Sequence, residues 1–295
     1  MQPTAPASPI LVLAANGKTG RRVADRLEAL GHRVRRGSRS GGAPPSSAGS
    51  TYAGSTRFDW DDVESWAPAL EGVAAVYVVY SPDLAVPAAP DAITAFTELA
   101  REKGVRRLVL LSGRGEEEAQ RCERIVQASG LETTVVRASW FNQNFDEGAF
   151  HELVLGGQVA LPAGDVPEPF LDIDDLADVA VAALTQDGHD GEVYEVTGPR
   201  AMTFAAAVAE IAAAAGRPID FVSIPREAFV AGLTEAGLAP GQVELLDYLF
   251  ATVLDGRNAA TADGVQRALG REPRDFRDYA RDAAARGVWT STPTI

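Results

Sequence analysis

The chain has 295 residues, 46% of them hydrophobic, and a formal net charge of −14. This length allows one large domain or two smaller ones. The acidic balance disfavours direct DNA or RNA binding, because it repels phosphate backbones. The single cysteine, Cys122, excludes internal disulfides and cysteine-rich metal sites and fits a cytoplasmic protein. No apolar run approaches the roughly 20 residues of a membrane helix, so no membrane contact is expected.

The first half of the chain alternates apolar runs with helical patterns. Strands are predicted at ILVLAA, HRVRRG, TRFDW, AAVYVVY, RRLVLLSG and ETTVVRAS. Helices are predicted at Thr19–Leu30, Val63–Leu70, Asp91–Lys103 and Glu116–Ser129. The runs Ala74–Tyr80 and Leu108–Leu111 are apolar on both faces, which is typical of strands covered on both sides. The alternation predicts an α/β fold with a Rossmann-type doubly wound parallel sheet.

The second half is richer in helices. PFLDIDDLADVAVAAL predicts a short strand and then a helix with Asp174 or Asp175 near its cap, and EVYEVTG and IDFVSIP predict further strands. TFAAAVAEIAAAAG predicts a helix that begins after Thr203 and ends at Gly216. Further helices are predicted at Arg226–Ala236, Gly241–Leu254 and Asp275–Ala285. This half is expected to form a smaller lobe that selects the substrate.

The change of pattern predicts the domain boundaries. Residues 1–8 carry neither the basic region nor the apolar core of a secretory signal and are expected to form a disordered tail. A nucleotide-binding domain is predicted over 9–155, with 170–200 returning to it. The helix-rich C-terminal lobe takes 156–169 and 201–290. SGGAPPSSAGS (40–50) predicts a mobile loop whose start can close over a ligand.

A glycine-containing turn follows the first predicted strand. Gly17 allows a pyrophosphate to approach the backbone, and Gly20 allows the next helix to pack closely on the strand. Asn16, Lys18 and Thr19 add hydrogen-bond donors. Ala14 stands where such turns usually have their first glycine, and its methyl group costs little if φ is negative. The turn therefore predicts a dinucleotide site, with a merely structural turn as the alternative.

The second predicted strand ends in RRGSRS (35–40), which bears on the choice of nucleotide. NAD-binding proteins tend to place Asp or Glu here to accept the ribose 2′-hydroxyl. This chain offers Arg39 to pair with a 2′-phosphate, with Ser38 and Ser40 as donors. NADP(H) is therefore predicted, and the alternative is a solvated basic edge.

The segment FDW closes the third predicted strand. Asp59 can accept from an adenine amino group, with Trp60 near the ring. The equal alternative is that these two residues lie exposed in a loop and bind no ligand.

Several segments together resemble the NmrA-like group of atypical short-chain dehydrogenases/reductases. They are LAANGKTGRRV, GSRS, VRRLVLLSG, ERIVQASGLETTVVRASWFNQNF and LDIDDLADVAVAAL. The resemblance covers about residues 9 to 290, and after the last of these segments it rests mainly on the order of elements. The group contains NADP-dependent reductases, including quinone and phenolic-ether reductases, and non-catalytic dinucleotide sensors that regulate a protein partner.

The resemblance also implies positions for site residues. It places Asn16–Gly20 at the phosphates, Ser38–Ser40 at the 2′-phosphate, and Tyr80 and Ser81 beneath the ribose and nicotinamide. Ser112 ends the fifth strand. Ala138–Asn142 follow the sixth strand beside the nicotinamide, and the family often has proline at the position of Ala138.

The catalytic pair of the wider superfamily is not found where it is expected. Short-chain reductases typically use a Tyr and a Lys four residues later to pass a proton to or from the substrate oxygen. Counting back from ASGL (128–131) puts these positions at Gly115 and Ala119, neither of which can do acid–base work. The usual dehydrogenase mechanism is therefore unsupported, although many NmrA-like proteins also lack the pair.

Two main hypotheses remain. In the first, the protein is an NADPH-dependent reductase of a small apolar conjugated molecule, with Ser112 or Tyr80 as candidate proton donors. Trp140, Phe141 and Asn142 then contact the substrate, and the alternative for these aromatics is a structural core. In the second, the protein is a dinucleotide sensor acting through a protein partner. A homodimer is compatible with both, and a redox-neutral isomerase or lyase has no positive residue evidence.

The sequence does not support a metal site, a catalytic triad or a calcium-binding loop. His32, His151 and His189 are scattered, which disfavours a histidine metal site or a Ser–His–Asp triad. DIDDLAD (172–178) lacks the glycine and the terminal glutamate of a calcium loop, and its predicted role is helix capping at the surface.

Overall fold

The computed structural model of the protein describes residues 8–42 and 52–290. Residues 1–7 of the predicted tail and residues 43–50 of the predicted mobile loop lie outside the described residues. The chain forms two compact units. One contains the described residues up to 137 together with 176–194 and 267–270, and the other contains 138–175, 195–266 and the described residues from 271 onward.

A seven-stranded sheet provides the frame of the nucleotide-binding part, in the order β3-β2-β1-β4-β5-β6-β9. Its strands are β1 (Ile10–Val12), β2 (Val34–Ser38), β3 (Tyr52–Arg57), β4 (Ala75–Val78), β5 (Arg107–Gly113), β6 (Glu132–Ala138) and β9 (Val193–Val196). The pairs from β3 to β5 are parallel. At the β6/β9 edge the hydrogen bonds Val135 N–H to Glu192 O and Ser139 N–H to Val196 O advance in the same direction, as in a parallel pair. The predicted Rossmann-type sheet is confirmed, and the order of its strands reverses between β1 and β4, where ligands bind in such sheets.

Helices follow the strands in the order the sequence predicts. They are α1 (Lys18–Ala29), α2 (Trp66–Leu70), α3 (Ala89–Glu102), α4 (Glu117–Gln127) and α6 (Ile173–Thr185). Each predicted helix in the first half is present within a few residues of its expected ends, with a 3-10 turn at Val63–Ser65 leading into α2. The strand β3 ends at Arg57, so FDW follows the strand and does not belong to it.

The second unit contains two small sheets and most of the remaining helices. β7 (Gln158–Leu161) pairs in parallel with β11 (Asp220–Ser223), and β8 (Pro167–Glu168) pairs antiparallel with β10 (Met202–Thr203). The helices are α5 (His151–Leu155), α7 (Phe204–Ala215), α8 (Arg226–Glu235), α9 (Pro240–Tyr248), α10 (Gly264–Leu269) and α11 (Phe276–Ala285), with a π-helical turn at Leu249–Val253. Gln266 is the last residue of α10 that belongs to this unit.

The ends of α7 confirm the capping prediction. The Thr203 hydroxyl accepts the Ala206 N–H at 3.1 Å, and Gly216 ends the helix with φ +65°. A left-handed residue at this position favours glycine because it has no Cβ to clash.

The predicted surface role of DIDDLAD is wrong. The cap of α6 is Asp172, whose Oδ1 accepts the Asp174 N–H at 3.0 Å. Asp172 and Asp175 are both fully buried. Arg274 donates to Asp172 at 2.9 Å and Arg271 donates to Asp175 at 2.6 Å. The carboxylates can be buried because these arginines, far away in the sequence, neutralise them.

Candidate dinucleotide site

The glycine turn presents the start of α1 as an anion-binding site. Gly17 is exposed and occupies the N-cap position with φ −82°, and no side chain caps the helix. The first turn of α1 carries no acidic residue. Backbone N–H groups and the positive end of the helix dipole are therefore presented to an anion. A Cβ on Gly17 would lie 3.1 Å from the Ala14 carbonyl oxygen, so the turn itself favours glycine here.

Gly20 has the packing role that the sequence predicts. A Cβ on Gly20 would lie 2.3 Å from the Ala14 carbonyl oxygen and 2.7 Å from that of Leu13. The helix therefore rests directly on the end of β1.

Ala14 does not have the negative φ under which its methyl group would cost little. Its φ is +50°, and it is the one non-glycine residue with positive φ among the described residues. An alanine in the left-handed region costs about 1–2 kcal/mol because its Cβ crowds the backbone. Ala14 thus adopts the conformation of the usual glycine at some cost in stability. The sequence shows the substitution, but it does not show the dihedral angle.

The three arginines around the end of β2 differ in what they contact. Arg36 is buried and donates to Glu28 at 2.9 and 3.0 Å and to Asp25 at 2.6 Å. Arg35 donates to the carbonyl oxygens of Ala69 and Glu71. Arg39 is exposed, and no hydrogen bond or ion pair joins its guanidinium to the described chain.

Small polar groups surround the same strand end. Asn16 Nδ2 donates to the Gly42 carbonyl at 3.1 Å, which joins the glycine turn to the segment after β2. The hydroxyls of Ser38 and Ser40 are 3.5 Å apart. The turn and the strand end therefore lie side by side, with donors that match a phosphorylated ribose.

Trp60 is part of the hydrophobic core. Its ring is 9% exposed and lies 4.9–5.5 Å from the rings of its neighbours, and its Nε1 donates to the Val79 carbonyl at 2.9 Å. The neighbouring rings are those of Phe58, Trp66, Tyr80 and Phe96. The Asp59 carbonyl accepts from Trp66 Nε1 at 2.7 Å, and its carboxylate accepts the Asp61 N–H. The adenine contact proposed for Asp59 and Trp60 stays a prediction.

The candidate proton donors lie beyond β4 and at the end of β5. Ser112 is buried and donates its hydroxyl to Glu123 at 2.6 Å, and Glu123 also accepts from Arg137 at 2.9 Å. Tyr80 is half-buried, and burial raises the pKa of its phenol. Ser81 is exposed. Tyr80 therefore stays protonated at neutral pH, while Ser112 is held by a carboxylate.

The positions expected for the Tyr/Lys pair hold a glycine and an alanine, and a buried glutamate lies between them. Gly115 lies in the turn before α4 with φ +75°, and Ala119 is fully buried in α4. Between them, Glu116 is 7% exposed, and burial, reinforced by the charge of Asp83, raises the pKa of its carboxyl well above the ordinary value. Sequence reasoning missed this acid, because the first glutamate of GEEE (115–118) is expected to be solvated at a helix start.

The segment after β6 lies in the second unit. Ala138 and Ser139 are buried, while Trp140 and Phe141 are half-buried. The Trp140 ring packs at 5.0–6.2 Å against three phenylalanine rings of that unit, those of Phe150, Phe204 and Phe250. Asn142 is fully buried at the start of a 3-10 turn. Trp140 therefore packs in the aromatic core of this unit, and part of its side chain is exposed.

Comparisons with known proteins agree with this geometry. The family described as NAD(P)H-binding matches residues 14–187. The uncharacterized oxidoreductase YesF of Bacillus subtilis (strain 168) is 33% identical over 289 residues, which is 96% of this chain and 97% of YesF. The chain belongs to the NAD(P)H-binding family.

Solved structures of other proteins share the fold. An NADPH-dependent quinone oxidoreductase of Escherichia coli in complex with NADPH has a TM-score of 0.76 at 21% identity, covering 92% of this chain and 99% of that one. A double mutant of NmrA has a TM-score of 0.65 at 17% identity, covering 95% and 97%. At these identities the likeness establishes the fold alone.

Two further observations concern the rest of the chain. Among the described helices, none combines the length and apolar character needed to cross a membrane. Cys122 is buried in α4, and burial raises the pKa of its thiol to about 12. The thiol is therefore protonated at neutral pH, which fits a structural residue.

Proposed function

We propose that the protein is an NADPH-dependent reductase that transfers hydride to a small apolar conjugated acceptor such as a quinone, an enone or an imine. The observation that carries the proposal is the juxtaposition of two groups at the carboxyl edge of the sheet. The uncapped start of α1 at Gly17 lies beside the end of β2, to which the Asn16 side chain connects it. This edge is where doubly wound sheets bind their ligands.

The cofactor is NADPH in this proposal, because of Arg39. Arg35 and Arg36 are occupied by protein groups, whereas Arg39 is exposed at the end of β2. Its guanidinium can form a charge-assisted pair with a 2′-phosphate, and Ser38 and Ser40 can donate to the same group. No carboxylate follows β2 to accept a 2′-hydroxyl, which removes the usual basis for choosing NADH.

The remaining proposed contacts are those that the residue types and the family resemblance imply. The pyrophosphate contacts Asn16, Gly17, Lys18, Thr19 and Gly20. The adenine end contacts Asp59 and Trp60. The ribose and nicotinamide end contacts Tyr80, Ser81, Ser112, Ala138 and Ser139.

The chemistry requires one hydride and one proton. A bound reduced nicotinamide would supply the hydride, and water or the Tyr80 phenol would donate the proton to the acceptor oxygen or nitrogen. The half-buried rings of Trp140 and Phe141 would form an aromatic wall against a flat conjugated acceptor. The quinone oxidoreductase among the structural neighbours supports this acceptor class.

Turnover with a panel of acceptors tests the proposal. Purified protein is mixed with NADPH and a quinone, an enone or an imine, and the loss of reduced-cofactor absorbance is followed. We expect turnover with at least one class, and slower turnover with NADH at equal concentration. The Gly17→Val variant is the matched control, because its side chain fills the space of the pyrophosphate.

A dinucleotide sensor is the second candidate, and the residues at positions 115 and 119 favour it. Gly115 and Ala119 remove the usual acid and its lysine partner. Tight NADPH binding without turnover of any acceptor in the panel would favour the sensor hypothesis over the reductase hypothesis. The next measurement would then be the affinity of a protein partner with and without NADPH.

A further inference from the structure

The segment that follows β4 and the turn that follows β5 are joined by two carboxyl groups. β4 and β5 are neighbouring strands, and they end at Val78 and Gly113. Beyond these ends, a hydrogen bond joins the side chains of Asp83 and Glu116. Two ionised carboxylates cannot form this bond because each only accepts, so one member of the pair carries a proton.

The surroundings of Glu116 assign the proton to this residue. Its side chain is buried, and no N–H or hydroxyl group of the described residues donates to its Oε2. The carboxyl group lies against the backbone of Gly113, where a Cβ would be 2.0 Å from Oε1 and 2.4 Å from Oε2. An ionised carboxylate in this place would be buried without a donor, which is far less favourable than a buried neutral acid. The protonated carboxyl avoids this penalty and donates its O–H to Asp83.

Asp83 is suited to accept that hydrogen bond. It is half-buried, and its Oδ1 accepts the Ala85 N–H at 2.9 Å. Burial raises the pKa of the Asp83 carboxyl, whereas the hydrogen bonds from Ala85 and Glu116 oppose this rise. The ionised form of Asp83 thus has two donors, one from its own segment and one from the turn after β5.

The charges that act on Glu116 from its neighbours are negative. The largest is that of Asp83, and a smaller one is that of Glu123 in α4, which is itself paired with Arg137. Arg114, a buried cation, lies two positions before Glu116 in the same turn. Ionisation of Glu116 would therefore place a second negative charge directly beside Asp83.

Loss of the shared proton turns this attraction into a repulsion. Two ionised carboxylates in hydrogen-bond contact repel each other, and the buried charge of Glu116 would lack a donor. We propose that Asp83 and Glu116 form a pH-sensitive clasp, in which one shared proton holds residues 81–83 against the turn at 113–116 and its loss at alkaline pH releases them. The proton leaves the Glu116 O–H for the solvent, and both carboxylates gain hydration as the two segments separate.

The residues on either side of the clasp limit how far it opens. Before it, Trp60 Nε1 donates to the Val79 carbonyl at 2.9 Å, and the Trp60 ring lies 4.9 Å from the ring of Tyr80. After it, Leu84 is buried in the hydrophobic core of the first unit. Release is therefore a local opening of residues 81–83 between these two anchors. The Ala85 N–H, which Asp83 accepts, is exposed to exchange when the clasp opens.

Hydrogen–deuterium exchange at pH 6 and pH 9 tests the clasp. Mass spectrometry compares the backbone amides of residues 81–86 and 113–117 in the wild type and in Glu116→Gln, whose amide donates to Asp83 at every pH. Comparing the two proteins at the same pH removes the intrinsic pH dependence of exchange. We expect equal exchange at pH 6. At pH 9 the wild type should exchange faster, by about tenfold for each unit by which the closed clasp raises the pKa of Glu116.

The variant Asp83→Asn tests the other half of the pair. Its amide donates to an ionised Glu116 and carries no charge, so the clasp should stay closed at pH 9 and residues 81–86 should exchange as slowly as in Glu116→Gln. The carbon-13 chemical shift of the Glu116 carboxyl, followed by NMR during a pH titration, gives a second readout. Its midpoint should lie at lower pH in Asp83→Asn than in the wild type, because the negative charge beside it is gone. The amides of β4 are the internal control and should exchange alike in all three proteins.

These measurements need no dinucleotide and no acceptor, so the clasp stands or falls independently of the proposed function. If the wild type exchanges as slowly as Glu116→Gln at pH 9, the clasp is overturned. An unchanged titration midpoint of Glu116 in Asp83→Asn would also overturn it, because the two groups would then not share a proton. Asp83→Asn supplies both tests if Glu116→Gln does not fold.

Discussion

The carboxylate of Glu116 lies directly against the backbone of Gly113. A Cβ on Gly113 would be 2.0 Å from Glu116 Oε1, so only glycine at this position leaves room for the acid. Oε2 of the same group is buried without a hydrogen-bond partner in the described part of the chain. Burial and the charge of Asp83 raise the pKa of Glu116 well above its ordinary value of 4.5. The folded state therefore binds this proton more tightly than the unfolded state does.

This relationship predicts how stability depends on pH. A carboxyl whose pKa is raised on folding contributes stability at low pH, and that stability is lost as pH rises from about 4.5 to the folded pKa. Glu116→Gln should remove this loss. Relative to wild type, its free energy of unfolding should improve between pH 5 and pH 8 by about 1.4 kcal/mol for each unit of the shift. Denaturant unfolding at the two pH values measures the difference.

The control for this experiment is the exposed neighbour Glu117. Glu117→Gln removes a carboxyl from the same turn, and its pH profile of unfolding is measured beside that of Glu116→Gln. An identical pH profile for Glu116→Gln and wild type would contradict the raised pKa.

The choice of cofactor should depend on Arg39. NADPH should bind at least about tenfold more tightly than NADH, because one charge-assisted pair contributes roughly 1.5–3 kcal/mol. Arg39→Ala should remove most of the difference, as measured by calorimetric titration. Arg57→Ala is the matched control, since Arg57 is also exposed but already pairs with Asp62. Equal wild-type affinities for the two cofactors would refute the assignment.

The strain at Ala14 should be relieved by glycine. With φ at +50°, Ala14→Gly should raise the free energy of unfolding by up to about 1 kcal/mol, after the greater chain entropy of glycine is allowed for. Ala15 is 1% exposed and has negative φ, so Ala15→Gly should lower stability by about 1 kcal/mol. Chemical denaturation measures the free energy of unfolding of both variants. A lower free energy of unfolding in Ala14→Gly would contradict the inferred backbone strain at Ala14.

The glycine turn should bind the dinucleotide through its backbone N–H groups. Gly17→Val should abolish dinucleotide binding, because Gly17 is exposed at the start of α1 and its new side chain would occupy the pyrophosphate space. Equilibrium binding of NADPH is measured alongside circular dichroism, which checks that the variant is folded. Unchanged binding by a folded variant would place the nucleotide elsewhere.

The rate of quinone reduction should depend little on either hydroxyl. The Ser112 hydroxyl donates a hydrogen bond to Glu123, and the Tyr80 phenol is a weak acid because burial raises its pKa. Ser112→Ala and Tyr80→Phe should each lower kcat by less than the 10²–10⁴-fold loss typical of a positioned general acid. Ser112→Ala should also cost about 1–3 kcal/mol of stability, because Glu123 loses a buried hydrogen bond. A collapse of kcat in Tyr80→Phe would identify a dedicated acid.

Local sequence patterns predicted the elements correctly where the local signal was strong. The apolar runs around β4 and β5 and the capped helix α7 are present as expected, because hydrophobic periodicity and capping depend on residues close in the chain. The glycine turn between β1 and α1 was identified for the same reason.

The tertiary structure decided what those residues contact. DIDDLAD looks solvated in the sequence, yet Asp172 and Asp175 are buried by arginines about a hundred positions later. RRGSRS offers three equivalent arginines, and only the fold shows that Arg36 pairs with Glu28 while Arg39 is exposed. The left-handed φ of Ala14 and the unpaired amide of Asn142 also appear only in three dimensions. Charge pairing, burial and backbone strain depend on neighbours brought together by folding, and no local pattern in the sequence encodes them.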